Sequence, residues 1–383
     1  MIRILFILKY RESSYDGGYS GYSDPSYSCE DPAWGPGTPE YGQRVKLDWA
    51  YTKGLSSGLL NSAKFVADML AGIPDFEVKL VQVLDNNYID REVAAFKPDI
   101  CIIEAYWVVP EKFEILTKLH PKVKWVIRNH SNIPFLANEG IAFGWTLDYV
   151  KHPNVFVASN DMRAHRELGV IINEFHETSG IRYLPNYYPL DVLNKPLPAP
   201  HSKPHEIDIA CFGAIRPLKN HMIQAIAAIE YAQKHKKYLR FHINGNRIEG
   251  NGQPILKNLR EMFKRLDNAE LVEHPWCDHP EFMKLVSSMD LGLQVSFTET
   301  FNIVAADFVV NRVPIVTSNE IEWSEPLLQA DPTDSSSIVK AMERAIFIHK
   351  HLPWSTPHVK GLKLYDHKSK HQWTKVIHEL AAK

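Results

Sequence analysis

The chain has 383 residues, 45% hydrophobic and 23% charged, a balance that excludes a fibrous repeat or a generally disordered polypeptide. That length suits two domains of roughly 150 to 200 residues better than a single core. Lys and Arg number 43 against 45 Asp and Glu, a formal net charge of -2, so no global basic field marks a nucleic-acid or acidic-membrane partner.

Residues 2–8 form a continuous apolar run that predicts a strand buried on both faces. The run is too short for a signal-peptide core and leads into Lys9, Tyr10, Arg11 and Glu12 instead of a cleavage site. No later stretch is long enough to span a bilayer, so a cytoplasmic protein is expected. Residues 10–57 are rich in Tyr, Gly, Ser and Pro without a sustained period; a loop of that length points to a lid or an acceptor-contacting segment. Beyond Ser57 and Gly58, the apolar stripe of Leu59, Leu60, Ala63, Val66, Met69 and Leu70 predicts a helix that Gly72 and Pro74 stop. Strand-like runs recur at 78–83, 100–103, 123–127 and 155–158, with helix-length segments between them, which argues for a parallel, doubly wound sheet.

The pattern breaks at Pro185-Asn186-Tyr187-Tyr188-Pro189, and residues 194–206 carry four prolines, so a boundary is expected at 190/191. Strands at 207–212, 239–243, 270–273, 291–295 and 313–316 then alternate with helices at 219–235, 254–266, 280–288 and 302–311. The tail is helical at 338–351 and 372–380. The expected organisation is α/β: a Rossmann-like domain over 1–190, a second over 191–365, and a C-terminal helix over 366–383 that packs back on the first. Ligands of such sheets bind outside the carboxyl ends of the strands, here in a cleft between two domains.

The strongest candidate for chemistry begins where the 291–295 strand ends. Glu299 lies at the strand-to-helix turn and Asp307 eight positions later. A helix starting near Asn302 would offer N-terminal amides and its dipole to a diphosphate, with Glu299 gripping sugar hydroxyls and Asp307 about 7.5 Å along the axis, at the distance of a ribose. A capping role for Glu299 and a solvated Asp307 would be the plain alternative, but a carboxylate among Val304, Ala305, Ala306, Phe308 and Val309 calls for a partner.

These segments resemble the large retaining GT-B glycosyltransferase family, which includes glycogen synthases and mannosyltransferases and carries a Glu, seven residues, then a second Glu. Leu184-Pro185-Asn186 at the junction, Gly213 followed by Arg216 and Lys219, a strand ending at Gly245, and the two-carboxylate turn occur in the family's order over about 184–318. The resemblance implies transfer of a sugar from a nucleotide-diphosphate donor to a hydroxyl acceptor. Arg216 and Lys219 would neutralise the departing diphosphate, and His130, just after a strand, would contact the donor sugar together with Glu299. Ser57, Gly58, Gly213, Thr300, Phe301, Asn302, Ile303 and Asp307 would bind the donor. Three positions depart from the pattern: Ala214 replaces an Arg, Asn302 a Gly and Asp307 a Glu.

The chain is also similar to bacteriophage-encoded glycosyltransferases, some of which decorate hydroxymethylated pyrimidines in DNA. This makes DNA a possible acceptor beside lipid or polysaccharide intermediates and small metabolites, and the host cytoplasm the place of action if the chain is viral. A nucleotide-sugar epimerase and a non-catalytic nucleotide-sugar-binding module are the rival readings. His274, Cys277 and His279 lack a second ligand pair, and no Asp-any-Asp motif appears in the cleft segments, so no metal or cofactor is expected. Cys29, Cys101, Cys211 and Cys277 read as reduced thiols.

Overall fold

A computed structural model of the chain describes residues 1–10, 58–175, 180–190, 204–352 and 357–382. The first sheet holds β1 (Ile2–Lys9), β2 (Phe76–Val83), β3 (Ile100–Glu104), β4 (Lys124–Asn129), β5 (Val155–Ser159) and β6 (Ile181–Tyr183) in the order β2-β1-β3-β4-β5-β6. The second holds β7 (Glu206–Ala210), β8 (Tyr238–Ile243), β9 (Ala269–Glu273), β10 (Leu291–Gln294) and β11 (Ile315–Thr317) in the order β11-β10-β7-β8-β9. All pairings between these strands are parallel.

Burial explains why the central strands read so clearly in the sequence. All of β3 and β10 is buried, because helices cover both faces of each sheet, whereas the edge strand β9 is buried only at Ala269. In the first lobe, Leu5, Ile7, Cys101 and Ile127 pack on one face of the sheet, and Ile4, Phe6, Ile102 and Val126 on the other. Helix Ile303–Val310 is buried nearly all round, as a segment apolar at every position but Asp307 demands, and Gly292 on β10 leaves the space that Phe308 fills.

The tail holds two helices, Ser335–His351 near the expected 338–351 and Pro357–Ala381, the latter longer than the 372–380 stretch expected. Val359, Leu362 and Tyr365 join the second-lobe cluster that includes Phe301 and Phe308, whereas Trp373, Val376, Ile377 and Leu380 join the first-lobe cluster that includes Phe6 and Val126. The expected division at 366 falls inside this helix, where its packing passes from one lobe to the other. Trp373 Nε1 donates to Pro185 O at 2.7 Å, and the Tyr188 amide donates to Asp366 Oδ1 at 3.0 Å, so the helix grips the interlobe connector.

Asp366 Oδ2 is buried without a hydrogen-bond partner among the described residues, and burial pushes this carboxyl up to about 8 against the pull of the Tyr188 amide. The folded state therefore holds a proton that the unfolded state releases near its ordinary carboxyl value, and stability falls as pH rises from there through about 8. Asp366→Asn keeps an acceptor for Tyr188 and removes the buried charge. It should stabilise by roughly 1 kcal/mol or more at pH 8 and by less at pH 5; equal shifts in thermal midpoint at both pH values would contradict this origin.

Candidate active site

The loops after β7, β8, β9 and β10 face the first lobe, and local backbone geometry sets their side chains. Gly213 follows β7 at φ 118°, a conformation few other residues adopt, and its amide donates to Asn244 Oδ1 at 2.9 Å. Asn220, at φ 59°, ends a 3-10 turn over Pro217–Lys219 and starts helix His221–Lys234. Its Nδ2 donates to Val295 O at 2.9 Å, while the Phe297 amide donates to Leu218 O at 3.0 Å. These two bonds lay the Lys219 turn against the turn carrying Glu299, and Lys219 Nζ forms an ion pair with Glu299 Oε1, both side chains nearly buried.

The turn continues into helix Ile303–Val310 through Asn302, at φ 57°. The family pattern has Gly there, and Asn is the side chain that best tolerates this conformation. Asn302 Oδ1 accepts from the Ala305 amide at 2.9 Å and Nδ2 donates to Gln294 Oε1 at 2.8 Å. One tip amide is thus taken by the chain's own cap, and those of Ile303 and Val304 remain as first-turn donors.

The first lobe meets this turn directly. Asn132 Nδ2 donates to Glu299 O, Asn160 Nδ2 to Thr300 Oγ1 at 3.1 Å, and Thr300 Oγ1 to His130 O at 3.3 Å. Gly58, at the start of helix Gly58–Ala71, approaches Ile303 so closely that a Cβ would sit 3.3 Å from Ile303 Cγ2. Between the lobes lies a crevice lined by Gly58, Asn61, Gly213, Asn244, Trp276, Cys277, His279, Ile303 and Asp307 among others.

Of the expected residues, Gly58, Gly213, Ile303 and Asp307 line the crevice, and His130, Lys219, Glu299 and Thr300 form the polar contact that adjoins the same helix tip. Others stand differently from expectation. The Phe301 side chain is core, packed on Trp323 and Tyr365, and its carbonyl accepts from Trp323 Nε1 at 2.8 Å. The guanidinium of Arg216 lies 4.5 Å from the centre of the Phe135 ring across the lobes and 3.5 Å from Glu249, not at Glu299. Asp307 is 2% exposed, and the partner its apolar setting required is double: Tyr188 Oη donates to Oδ1 at 2.6 Å and His279 Nε2 lies at 2.8 Å. Ser57 lies outside the described residues.

Sequence reasoning missed the network behind His130. Arg128, fully buried, donates through Nη1 to Glu104 at 3.1 Å, through Nε to Leu184 O and through Nη2 to Pro185 O and Asn186 Oδ1. His130 Nε2 lies 2.5 Å from Glu104 Oε2. Burial favours the neutral form of Glu104, but Arg128 and His130 together outweigh it and hold the carboxyl below its ordinary value. Burial first, then the charge of Arg128, push His130 down, against the upward pull of Glu104. A neutral imidazole bonded to a carboxylate carries its proton on Nε2, which leaves Nδ1 as an acceptor. His130 can therefore accept a hydrogen bond at Nδ1. The signal was present: a Glu and an Arg ending adjacent apolar strands have to neutralise each other.

Asn132 Oδ1, Asn160 Oδ1, Ser296 Oγ and Thr298 Oγ1 are buried without a hydrogen-bond partner among the described residues. Unpaired buried polar atoms are costly, so these four are places where the polar groups of a ligand can be satisfied. His274 stacks on His242 at 5.1 Å and His279 turns to Asp307, so the His274, Cys277 and His279 segment does not converge. Among the described residues no group of three or more His, Cys, Asp or Glu is placed to hold a metal ion, and no helix is long and apolar enough to cross a membrane.

No protein-family model matches the chain, and no curated protein matches it by sequence. Solved structures do. Sucrose-phosphate synthase from Thermosynechococcus elongatus aligns over 100% of both chains at a TM-score of 0.59 and 13% identity. An E. coli trehalose-6-phosphate structure bound with UDP-2-fluoro glucose aligns over 99% of both chains at 0.62 and 11% identity. A trehalose-6-phosphate synthase studied for glycosyl transfer with retention aligns over 77% of this chain and 76% of its own at 0.56 and 13% identity. The chain has the GT-B fold of these proteins: two parallel α/β sheets facing a crevice, closed by C-terminal helices.

Proposed function

We propose that the protein is a retaining glycosyltransferase that moves a sugar from a nucleotide-diphosphate donor to a hydroxyl acceptor. The observation that carries this reading is the Lys219–Glu299 pair at the tip of helix Ile303–Val310, joined through Thr300 to His130 of the opposite lobe. In this reading the diphosphate lies against the amides of Ile303 and Val304, and Lys219 shares its charge between Glu299 and the phosphate. The bond between the anomeric carbon and the phosphate oxygen breaks as the acceptor oxygen bonds that carbon on the same face. The acceptor's proton passes to the departing phosphate oxygen, so no protein nucleophile is needed. Glu299 and His130 Nδ1 accept from sugar hydroxyls, and Glu104 holds the imidazole for that task.

The fold agreement with sucrose-phosphate and trehalose-6-phosphate synthases supports a nucleotide-sugar donor. The test is a panel of UDP-, GDP- and ADP-sugars read by thermal shift, followed by transfer assays on the donor that binds. A donor at a hundred times its Kd should stabilise by about 2.7 kcal/mol. Sugar phosphates and hydroxymethylpyrimidine DNA are the acceptor arms, and label in the DNA would select the latter. Absence of any shift across the panel would contradict the reading; donor binding without turnover on any acceptor would leave a binding module.

A further inference from the structure

We propose that His279 is the side chain that meets the ribose hydroxyls of the bound nucleotide, with Asp307 behind it as a positioning residue; the inference rests on the nucleotide-sugar reading above. Both residues line the crevice, but the His279 side chain is 23% exposed and that of Asp307 3%, so the imidazole is what a ligand reaches first. Asp307 Oδ1 is anchored by Tyr188 Oη at 2.6 Å, and Tyr188 belongs to the interlobe connector that Asp366 holds by its amide. Phe65, from the first lobe, packs edge-on against Tyr188 at 5.0 Å and against His279 at 6.0 Å, which fixes the imidazole plane.

The hydrogen-bond roles follow from that anchoring. With Nε2 donating to Asp307 Oδ1, the remaining groups of the pair are His279 Nδ1 and Asp307 Oδ2, neither with a hydrogen bond among the described residues. Burial disfavours a charged imidazole, but the hydrogen bond and charge of Asp307 prevail and raise its affinity for a proton. Burial also raises the Asp307 carboxyl, against the opposing pull of His279 and Tyr188; with the carboxyl ionised and the imidazole protonated, the pair offers an Nδ1–H donor beside an acceptor oxygen, a set that a vicinal diol satisfies with one oxygen and one hydroxyl proton.

The test is calorimetric binding of UDP, GDP and ADP, each against its 2′,3′-dideoxy form, to the wild type, His279→Ala and Tyr188→Phe. The wild type should prefer the ribo form of its chosen nucleotide by about tenfold or more. His279→Ala should cut that preference to below about twofold, and Tyr188→Phe should reduce it part-way. His279→Gln serves in the same assay if the alanine variant does not fold. Wild-type preference retained in the His279 variants, or equal weakening of both forms, overturns the assignment. A wild type that binds nucleotides without preferring ribose overturns it alone, and one that binds none removes the nucleotide-sugar reading with it.

Discussion

Lys219→Ala should lower sugar transfer by about 10²- to 10³-fold, the loss typical of removing one preorganised group from a developing charge. The variant also leaves Glu299, 9% exposed, without its cation, and breaking a buried pair costs about 3–5 kcal/mol. Those two effects have to be separated. The double variant Lys219→Met with Glu299→Gln removes both charges and should recover most of the lost stability, because an apolar or neutral replacement of a buried pair is often tolerated. It should recover none of the turnover. Rates near wild type in either variant, measured well below the melting temperature, would show that Lys219 does not stabilise the leaving diphosphate.

A stability effect of the same size is expected at Arg128. Its guanidinium serves Glu104, Leu184 O, Pro185 O and Asn186, and lies 5.1 Å from the centre of the Trp373 ring, so one side chain fastens β4, the connector and the C-terminal helix. Arg128→Met strands a fully buried Glu104 and should cost about 3–5 kcal/mol in chemical unfolding. Pairing it with Glu104→Gln should restore part of that loss. Transfer should stay impaired in the double variant, because His130 then loses the carboxylate that sets its tautomer. A loss under about 1 kcal/mol for Arg128→Met would mean that the pair and its connector bonds contribute little.

How much of this was legible in the sequence depended on whether a residue's role was local. The parallel strands read as apolar runs because helices bury both faces, and the Glu299 turn read as a helix tip because Asn302 and the apolar 303–310 segment define one. The terminal helix read only in part. Its inward positions include Asp366 and Ser369, so the apolar stripe is broken where the helix crosses from one lobe to the other. Phe301 was read as binding the donor along with Thr300, Asn302 and Ile303, although its side chain turns into the core formed with Trp323 and Tyr365. Glu104 with His130, and Tyr188 with His279 around Asp307, escaped notice because each pairing joins segments 26 or more residues apart. Sequence reading supplied the demand for a partner at Asp307, and only the fold supplied the partners.

The central claim is most directly tested by a crystal structure with bound UDP. The account predicts the β-phosphate within about 3 Å of the Ile303 and Val304 amide nitrogens and of Lys219 Nζ, with the ribose toward His279. Nucleotide density elsewhere on the second lobe, with Lys219 still paired only to Glu299 and the helix tip bare, would contradict it.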